Sequence, residues 1–344
     1  MRKCLDFVQQ NIVSGDKNTE KILLSIIIIY CIVVSVVNPA FFQLSTVFIM
    51  IRSIAGTMVI ACGLLLVVIS GGIDVSFTAV AIFGGYSATR LMIFLGVDNI
   101  FFAFFIACTI GLFLGLFNAI VIHITKLEPF IITLATSGLF HGSVLTFVGT
   151  RNIGSLEIPR SITRFGQFTF FTIVNDAGLV TGLSGFVVFI VVIVLLTWFI
   201  LYRTMLGKSI FALGCSAEVA RRAGFNVFKT RLFIYGYAGV LGGMMGMLYV
   251  AELNSINPVT LVGTELMVIA AVIIGGARVS GGQGTVLGTV LGVMIMYIIN
   301  NTLIFLGITS SWNSLFLGAV LLSSMAMVSL QERRKNRKTF IFTE

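Results

Sequence analysis

Apolar runs of close to twenty residues follow one another along most of this chain, broken by short polar segments. A helix needs about 20 apolar residues to cross a bilayer. The runs fall near 22–38, 54–69, 76–96, 99–124, 129–149, 179–202, 230–250, 261–276, 284–306 and 312–330. They predict an all-α integral membrane protein with about ten transmembrane helices. Segment 41–52, after Pro39, reads as a short amphipathic piece lying in the interface. Composition excludes a soluble fold. Hydrophobic residues make up 58% of 344 and charged residues 10%, where a soluble domain carries about a quarter charged.

The position of the charge orients the spans. Arg2, Lys3, Lys17 and Lys21 precede the first run. Arg203, Lys208, Arg221, Arg222, Lys229 and Arg231 cluster between the sixth and seventh, and Arg333, Arg334, Lys335, Arg337 and Lys338 close the chain. Basic flanks mark the cytoplasmic side. With the N-terminus inside and spans alternating, the basic loop 203–229 and the C-terminus both fall inside, and the loop 150–178 falls outside. An even count keeps both basic ends cytoplasmic. The chain thus divides into a tail at 1–21, a polytopic domain at 22–330 and a basic tail at 331–344. Juxtamembrane charge accounts for the net +9, so no nucleic-acid partner is expected. The first run has a basic flank but no small-residue cleavage site and reads as a retained span.

Little in the sequence supports catalysis or metal binding. The five cysteines are scattered without a CxxC, and the two histidines, His123 and His141, have no neighbours at ligand spacing. Both read as packing or interfacial residues. No nucleophile with a base and no paired acids occur at a recognisable spacing. The stretch 282–288 lacks the spacing and lysine of a nucleotide loop. The chain is read as a non-enzyme without a cofactor of its own.

Two segments echo each other. Gly71, Gly72, Asp74 and Ser76 lie in GGIDVS at 71–76, and Gly275, Gly276 and Arg278 lie in GGARVS at 275–280. Matching glycine-interrupted segments in two halves of a membrane protein point to an internal repeat and to its pathway. Asp74 has two readings. An acid at membrane depth faces a cavity or partner, or it caps the next helix through backbone N–H groups. Arg278 occupies the matching place, and an Asp74–Arg278 ion pair is one arrangement the echo allows. Glu265 reads as a dipole-favoured acid opening its helix, with lining of the outer mouth as the alternative. Gly284, Gly288 and Gly292, and Gly111 with Gly115, recur every fourth residue as helix-packing stripes.

In the central loop, Ser216 is placed to cap a short helix at 217–223, and Gly224 to end it. A capped cytosolic helix is either a grip for a soluble partner or merely part of the topology signal.

At these residues the chain resembles the permease subunits of bacterial ATP-binding-cassette importers for ribose and related sugars. The resemblance rests on SGGIDVS at 70–76, PFIITLAT at 129–136 and GKSIFALGCSAEVARRAGFNV at 207–227. It continues through ELMVIAAVIIGGARVSGGQGTVLGTVLG at 265–292 and NNTLIFLGITSSW at 300–312. It implies a location in the inner membrane and a pathway formed with a second permease chain, identical or related. It further implies a cytosolic ATPase that holds the ATP and magnesium, and an external binding protein that delivers a sugar-like solute. The segment around Gly207, Ala217, Glu218, Ala220 and Gly224 is similar to the coupling segment that docks on that ATPase. Phe77 and Thr78 after Ser76, and Arg278 where a small or polar residue is common, depart from the family pattern. The competing reading, an ion-coupled secondary transporter of small polar solutes, needs intramembrane ionisable groups, and the sequence offers little beyond Asp74 and the histidines.

Overall fold

The computed structural model of the chain describes residues 17–174 and 180–305, together with Trp312, Leu315, Gly318, Ala319 and Leu322. Apart from those five residues, the expected span at 312–330 lies outside the described residues, as do positions 1–16 and the tail at 331–344.

Among the described residues, seven helices are long and apolar enough to cross a membrane. They are α1 (Lys17–Val37), α2 (Leu44–Ile69), α3 (Phe77–Leu95), α4 (Ile100–Thr125), α5 (Pro129–Ser143, prolonged by a π-helical turn Val144–Val148), α7 (Phe186–Arg203) and α10 (Val227–Leu253). Shorter helices are α6 (Arg160–Gln167), α8 (Met205–Cys215), α9 (Ala217–Arg222) and α11 (Glu265–Ile274). The last continuous element is α12 (Val286–Phe305).

The expected count of ten spans is not confirmed: seven such helices stand among the described residues, and the run at 312–330 lies largely outside them. The run at 261–276 yields only the 10 residues of α11, about 15 Å of helix against a core of about 30 Å. Its N-terminal half cannot continue the helix. Gly263 stands at φ 96°, and the Asn257 side chain turns the chain by accepting the Val259 N–H at 3.1 Å.

One expectation is corrected: segment 41–52 is no separate interfacial piece. A 3-10 turn over Pro39–Phe42 ends before Leu44, and α2 then runs unbroken for 26 residues, about 39 Å. The all-α class fits this largely helical chain, with one small sheet added to it. Strands β1 (Thr169–Val174) and β2 (Val180–Ser184) form an antiparallel hairpin, with Thr172 opposite Gly182 and Ile173 opposite Thr181. β1 reads TFFTIV, aromatic and β-branched throughout, the composition a pleated strand favours. The following span accordingly starts at Phe186 and not near 179.

Helix α10 is the spine, packed against α2, α3 and α4, and most of its length is buried. The contact with α4 is made of backbone. A Cβ on Gly111 would overlap the carbonyl oxygen of Gly239, a Cβ on Gly239 would overlap that of Gly111, and Gly115 meets Tyr235 in the same way. In lipid, helix association draws on such close packing because hydrocarbon tails are as apolar as leucine. Gly284, Gly288 and Gly292 lie against Ile69 and Leu65, Gly275, and Ala271 respectively, so this stripe seats α12 on α11 and α2.

Candidate functional site

The two echoing segments both terminate helices, and by the same device. At the end of α2, Gly71 adopts φ 84° while the Gly72 N–H reaches the Val67 carbonyl at 3.1 Å. At the end of α11, Gly276 adopts φ 90° and the Ala277 N–H reaches the Val272 carbonyl at 3.3 Å. Both are left-handed glycine caps with a six-to-one bond. The caps equate Gly71 with Gly276, one residue off the register of the sequence echo. Beyond the caps the paths diverge, since α3 begins at Phe77 and α12 only at Val286. The likeness extends to the helix ends, and the expected repeat is not established by it.

That slip bears on Asp74 and Arg278. Asp74 is buried, and its Oδ1 accepts both the backbone N–H and the hydroxyl of Ser76 at 2.7 Å. Ser76 in turn accepts from the Asn118 amide at 2.7 Å. The carboxylate thus fastens the start of α3 and, through Ser76, ties it to α4. Arg278 is half-buried in the loop after α11, where its backbone N–H binds the Gln283 carbonyl at 3.0 Å. The Asp74–Arg278 pair is not formed. The ion pairs among the described residues are Arg151 with Glu157 and Arg222 with Glu218.

Around Asp74 the polar groups are incompletely matched. Thr133 accepts the Val75 N–H at 3.2 Å and donates to the Ile73 carbonyl at 3.1 Å. The Tyr235 hydroxyl and the Asn118 Oδ1 are buried without a hydrogen-bond partner among the described residues. Gly72 leaves room for that hydroxyl, because a Cβ there would lie 2.9 Å from it. Unmatched buried polar atoms are costly, so they mark a region arranged for more than packing. Glu265 accepts the Thr78 hydroxyl at 2.5 Å and the Gly263 N–H at 2.7 Å. It therefore caps its own helix entry and also joins α11 to the first turn of α3.

The short helix of the basic loop forms by the signals its sequence carries. The Ser216 hydroxyl accepts the Glu218 N–H at 3.2 Å. Gly224, at φ 85°, ends α9 with the Phe225 N–H on the Ala220 carbonyl at 3.0 Å. Ala220 is buried, Ala217 half-buried, and Glu218, Arg221 and Arg222 are exposed, with Glu218 paired to Arg222. Gly207 sits in the α7–α8 corner, where a Cβ would overlap the Leu201 carbonyl.

A junction that the sequence did not disclose joins these parts. The Gly282 N–H donates to the Ile69 carbonyl at 2.8 Å. A Cβ on Gly214 would overlap both groups, and one on Gly281 would lie 2.6 Å from the Gly214 oxygen and 2.9 Å from the Gly71 Cα. The ends of α2, of α8 and of the 280–282 loop thus meet backbone to backbone, with Gly214 three residues before α9 begins. Sequence spacing alone could not bring Gly71, Gly214 and Gly281 together.

A second group was also missed. Arg52 lies in α2, and its Nη2 donates to the Glu252 carbonyl at 3.2 Å, with the guanidinium 6.0 Å from the Phe186 ring centre. The Ser53 hydroxyl is in reach of the Glu252 carboxylate and of Tyr297, which also meets the Asn301 side chain. The signal was a lone arginine in an apolar run, hidden by assigning 41–52 to the interface.

Elsewhere, His123 packs on the Phe228 ring at 4.5 Å. Asp98, in the turn between α3 and α4, accepts the Ser161 N–H at 2.7 Å. The Ser161 side chain and backbone, with Arg164 and Arg160, hold the Asp98 carboxyl below the usual carboxylate range.

Seven long apolar helices and a half-length apolar helix ended by glycine describe a multi-pass membrane protein, and its relatives place it among transport proteins. The chain belongs to the permease-component family of branched-chain amino acid transport systems, whose model matches residues 45–325. It is 31% identical over 308 residues to the ribose import permease of Bacillus subtilis (strain 168), covering 90% of this chain and 91% of the relative. It is 30% identical over 271 residues to the D-allose transport system permease of Escherichia coli (strain K12), covering 79% of each. With the autoinducer 2 import permease of Photorhabdus laumondii it shares 28% identity over 309 residues, covering 87% of this chain and 88% of the relative. These relatives bear out the resemblance to permeases of sugar importers of the ATP-binding-cassette type. No solved structure matches the chain significantly.

Proposed function

We propose that the chain is the transmembrane subunit of an ATP-driven importer that passes a sugar or sugar-like solute delivered by an external binding protein. In this reading the ATP and magnesium sit on a cytosolic ATPase, a second permease chain completes the pathway, and both termini are cytoplasmic in the inner membrane. α9, with Gly207, Ala217, Glu218, Ala220 and Gly224, is the ATPase-docking helix. Gly71, Gly72, Asp74, Ser76, Gly275, Gly276 and Arg278 form the gating segments.

The observation that carries the reading is the backbone junction at Gly214. A force applied to α9 reaches α8 through Ser216, and α8 cannot move without displacing Ile69 or Gly282. Those residues lead directly into the Asp74 segment and into the loop that carries Arg278. The junction thus supplies a stiff route from a surface helix to the capped end of α2 and to the loop after α11. Names of relatives support the solute class.

Uptake into membrane vesicles tests it. Labelled D-ribose and D-allose are supplied with ATP while the proton gradient is collapsed. ATP-dependent uptake that survives the collapse supports the reading. Uptake that vanishes with the gradient and ignores ATP would replace it with the ion-coupled transporter.

A further inference from the structure

We propose that Arg52, Ser53, Glu252, Tyr297 and Asn301 form a solute subsite within one protomer, taking an uncharged polyhydroxylated molecule. The inference rests on the sugar-permease reading and deepens it.

The placement of the charges is the starting point. Arg52 lies eight residues inside the start of α2, about 12 Å along the helix. An ionisable group at such depth is costly and normally faces a partner or a water-filled cavity. Arg52 forms no ion pair among the described residues. One of its nitrogens binds a backbone carbonyl, its face lies over Phe186, and the side chain remains half-buried. Glu252, Tyr297 and Asn301 are likewise half-buried. The group is therefore neither sealed into the core nor spread on the lipid face.

Its chemistry matches hydroxyl groups. The guanidinium is purely a donor, the carboxylate purely an acceptor, and the phenol, hydroxyl and amide act as both. A polyol presents donor and acceptor together on each carbon and meets such a set without residual charge. Anionic solutes fit poorly. The single arginine faces the Glu252 carboxylate, and the positive end of the nearby short helix α11 is already occupied by its own Glu265. Asn300 links α12 to that helix, its amide 3.4 Å from the Met267 sulfur. The cluster thus stands beside the half-length element, where discontinuous helices of transporters place their solute sites.

The test is thermal unfolding of the purified full-length chain in detergent, titrated with D-ribose, D-allose, D-ribose 5-phosphate and L-leucine. The expected result is a concentration-dependent rise in Tm with a neutral sugar and none with the phosphate. Glu252→Gln and Asn301→Ala then raise the half-saturating concentration about tenfold, the loss of one good hydrogen bond, and Gly138→Ala, whose new methyl meets nothing within 4 Å, leaves it unchanged. Tyr297→Phe preserves packing and gives the same weakening if a truncated variant fails to fold. Variants that melt earlier without the sugar but keep the wild-type half-saturation would make the cluster a structural tie and overturn the subsite. No shift with either sugar would also overturn it, while sugar uptake by cells carrying the whole transporter would still uphold the permease reading. A shift with L-leucine alone would overturn both.

Discussion

Replacing Gly111 with alanine adds one methyl group where α4 and α10 touch through backbone. The nearest atom to the new Cβ is the Gly239 carbonyl oxygen, with the Gly239 carbon and Gly243 nitrogen behind it. None of these can rotate aside, so the helices must separate along the crossing. Two effects oppose each other. Alanine favours a helix over glycine by about 1 kcal/mol. Overpacking costs about 1–3 kcal/mol, and a clash with backbone belongs at the upper end. The net expectation is a loss of about 2 kcal/mol, near thirtyfold in the folding equilibrium.

Gly138 is the internal control. It lies on α5, and a Cβ there meets nothing within 4 Å. Gly138→Ala retains only the helix-forming gain and should leave the protein as stable or slightly more so. Thermal unfolding of both variants in one detergent, followed by tryptophan fluorescence, reads the difference. Equal melting temperatures for Gly111→Ala and Gly138→Ala would refute the claim that backbone contact holds this pair of helices.

Three further outcomes are expected. Glu218→Lys removes the α9 pair with Arg222, and Gly224→Leu forces a side chain into a left-handed turn at a cost of about 1–2 kcal/mol; each should uncouple ATP hydrolysis from transport while membrane insertion persists, and normal vesicle uptake by both would remove the docking role from α9. Asp74→Asn keeps an acceptor for Ser76 but puts an amide NH2 in place of a carboxyl oxygen at a buried site; it should lower stability by about 1–2 kcal/mol and reduce transport, and unchanged melting and uptake would reduce the segment to packing. For Asp98, the folded carboxyl titrates below its unfolded value, so its stabilisation is present above the unfolded value and is lost as pH falls through the folded one. Protease nicking of 150–168 should accordingly increase as the pH drops through that acid range, and Asp98→Asn should abolish the dependence.

What the sequence disclosed depended on the range of the interaction. Span positions follow from local hydropathy, and α3, α4 and α10 lie close to their expected limits. Caps are also local, which is why Ser216 and Gly224 were read at the ends of α9. Hydropathy and helix formation part at one expected span. The run at 261–276 is apolar enough, but Pro258, Asn257 and Gly263 bend its approach. The hairpin was missed because its strands are short and lie beside a span of similar hydropathy. The register slip between the two glycine caps shows how a six-letter match misplaces Arg278 relative to Asp74. Contacts between distant segments were beyond reach, including the Gly71, Gly214 and Gly281 junction and the grouping of Arg52 with Glu252 and Tyr297.

The glycine junction has a consequence for how a pathway through this chain would close. A gate built from side chains opens by degrees, because each rotamer swings independently and leaves partial openings. Gly71, Gly214, Gly281 and Gly282 have no side chain to swing. Their only freedom is the relative position of three chain segments locked at van der Waals distance, one of them tied by the Gly282 to Ile69 hydrogen bond. Such a contact is either seated or parted. In the proposed gating role it would make leakage an all-or-none event, governed by the load on α8 and not by thermal flicker of individual residues.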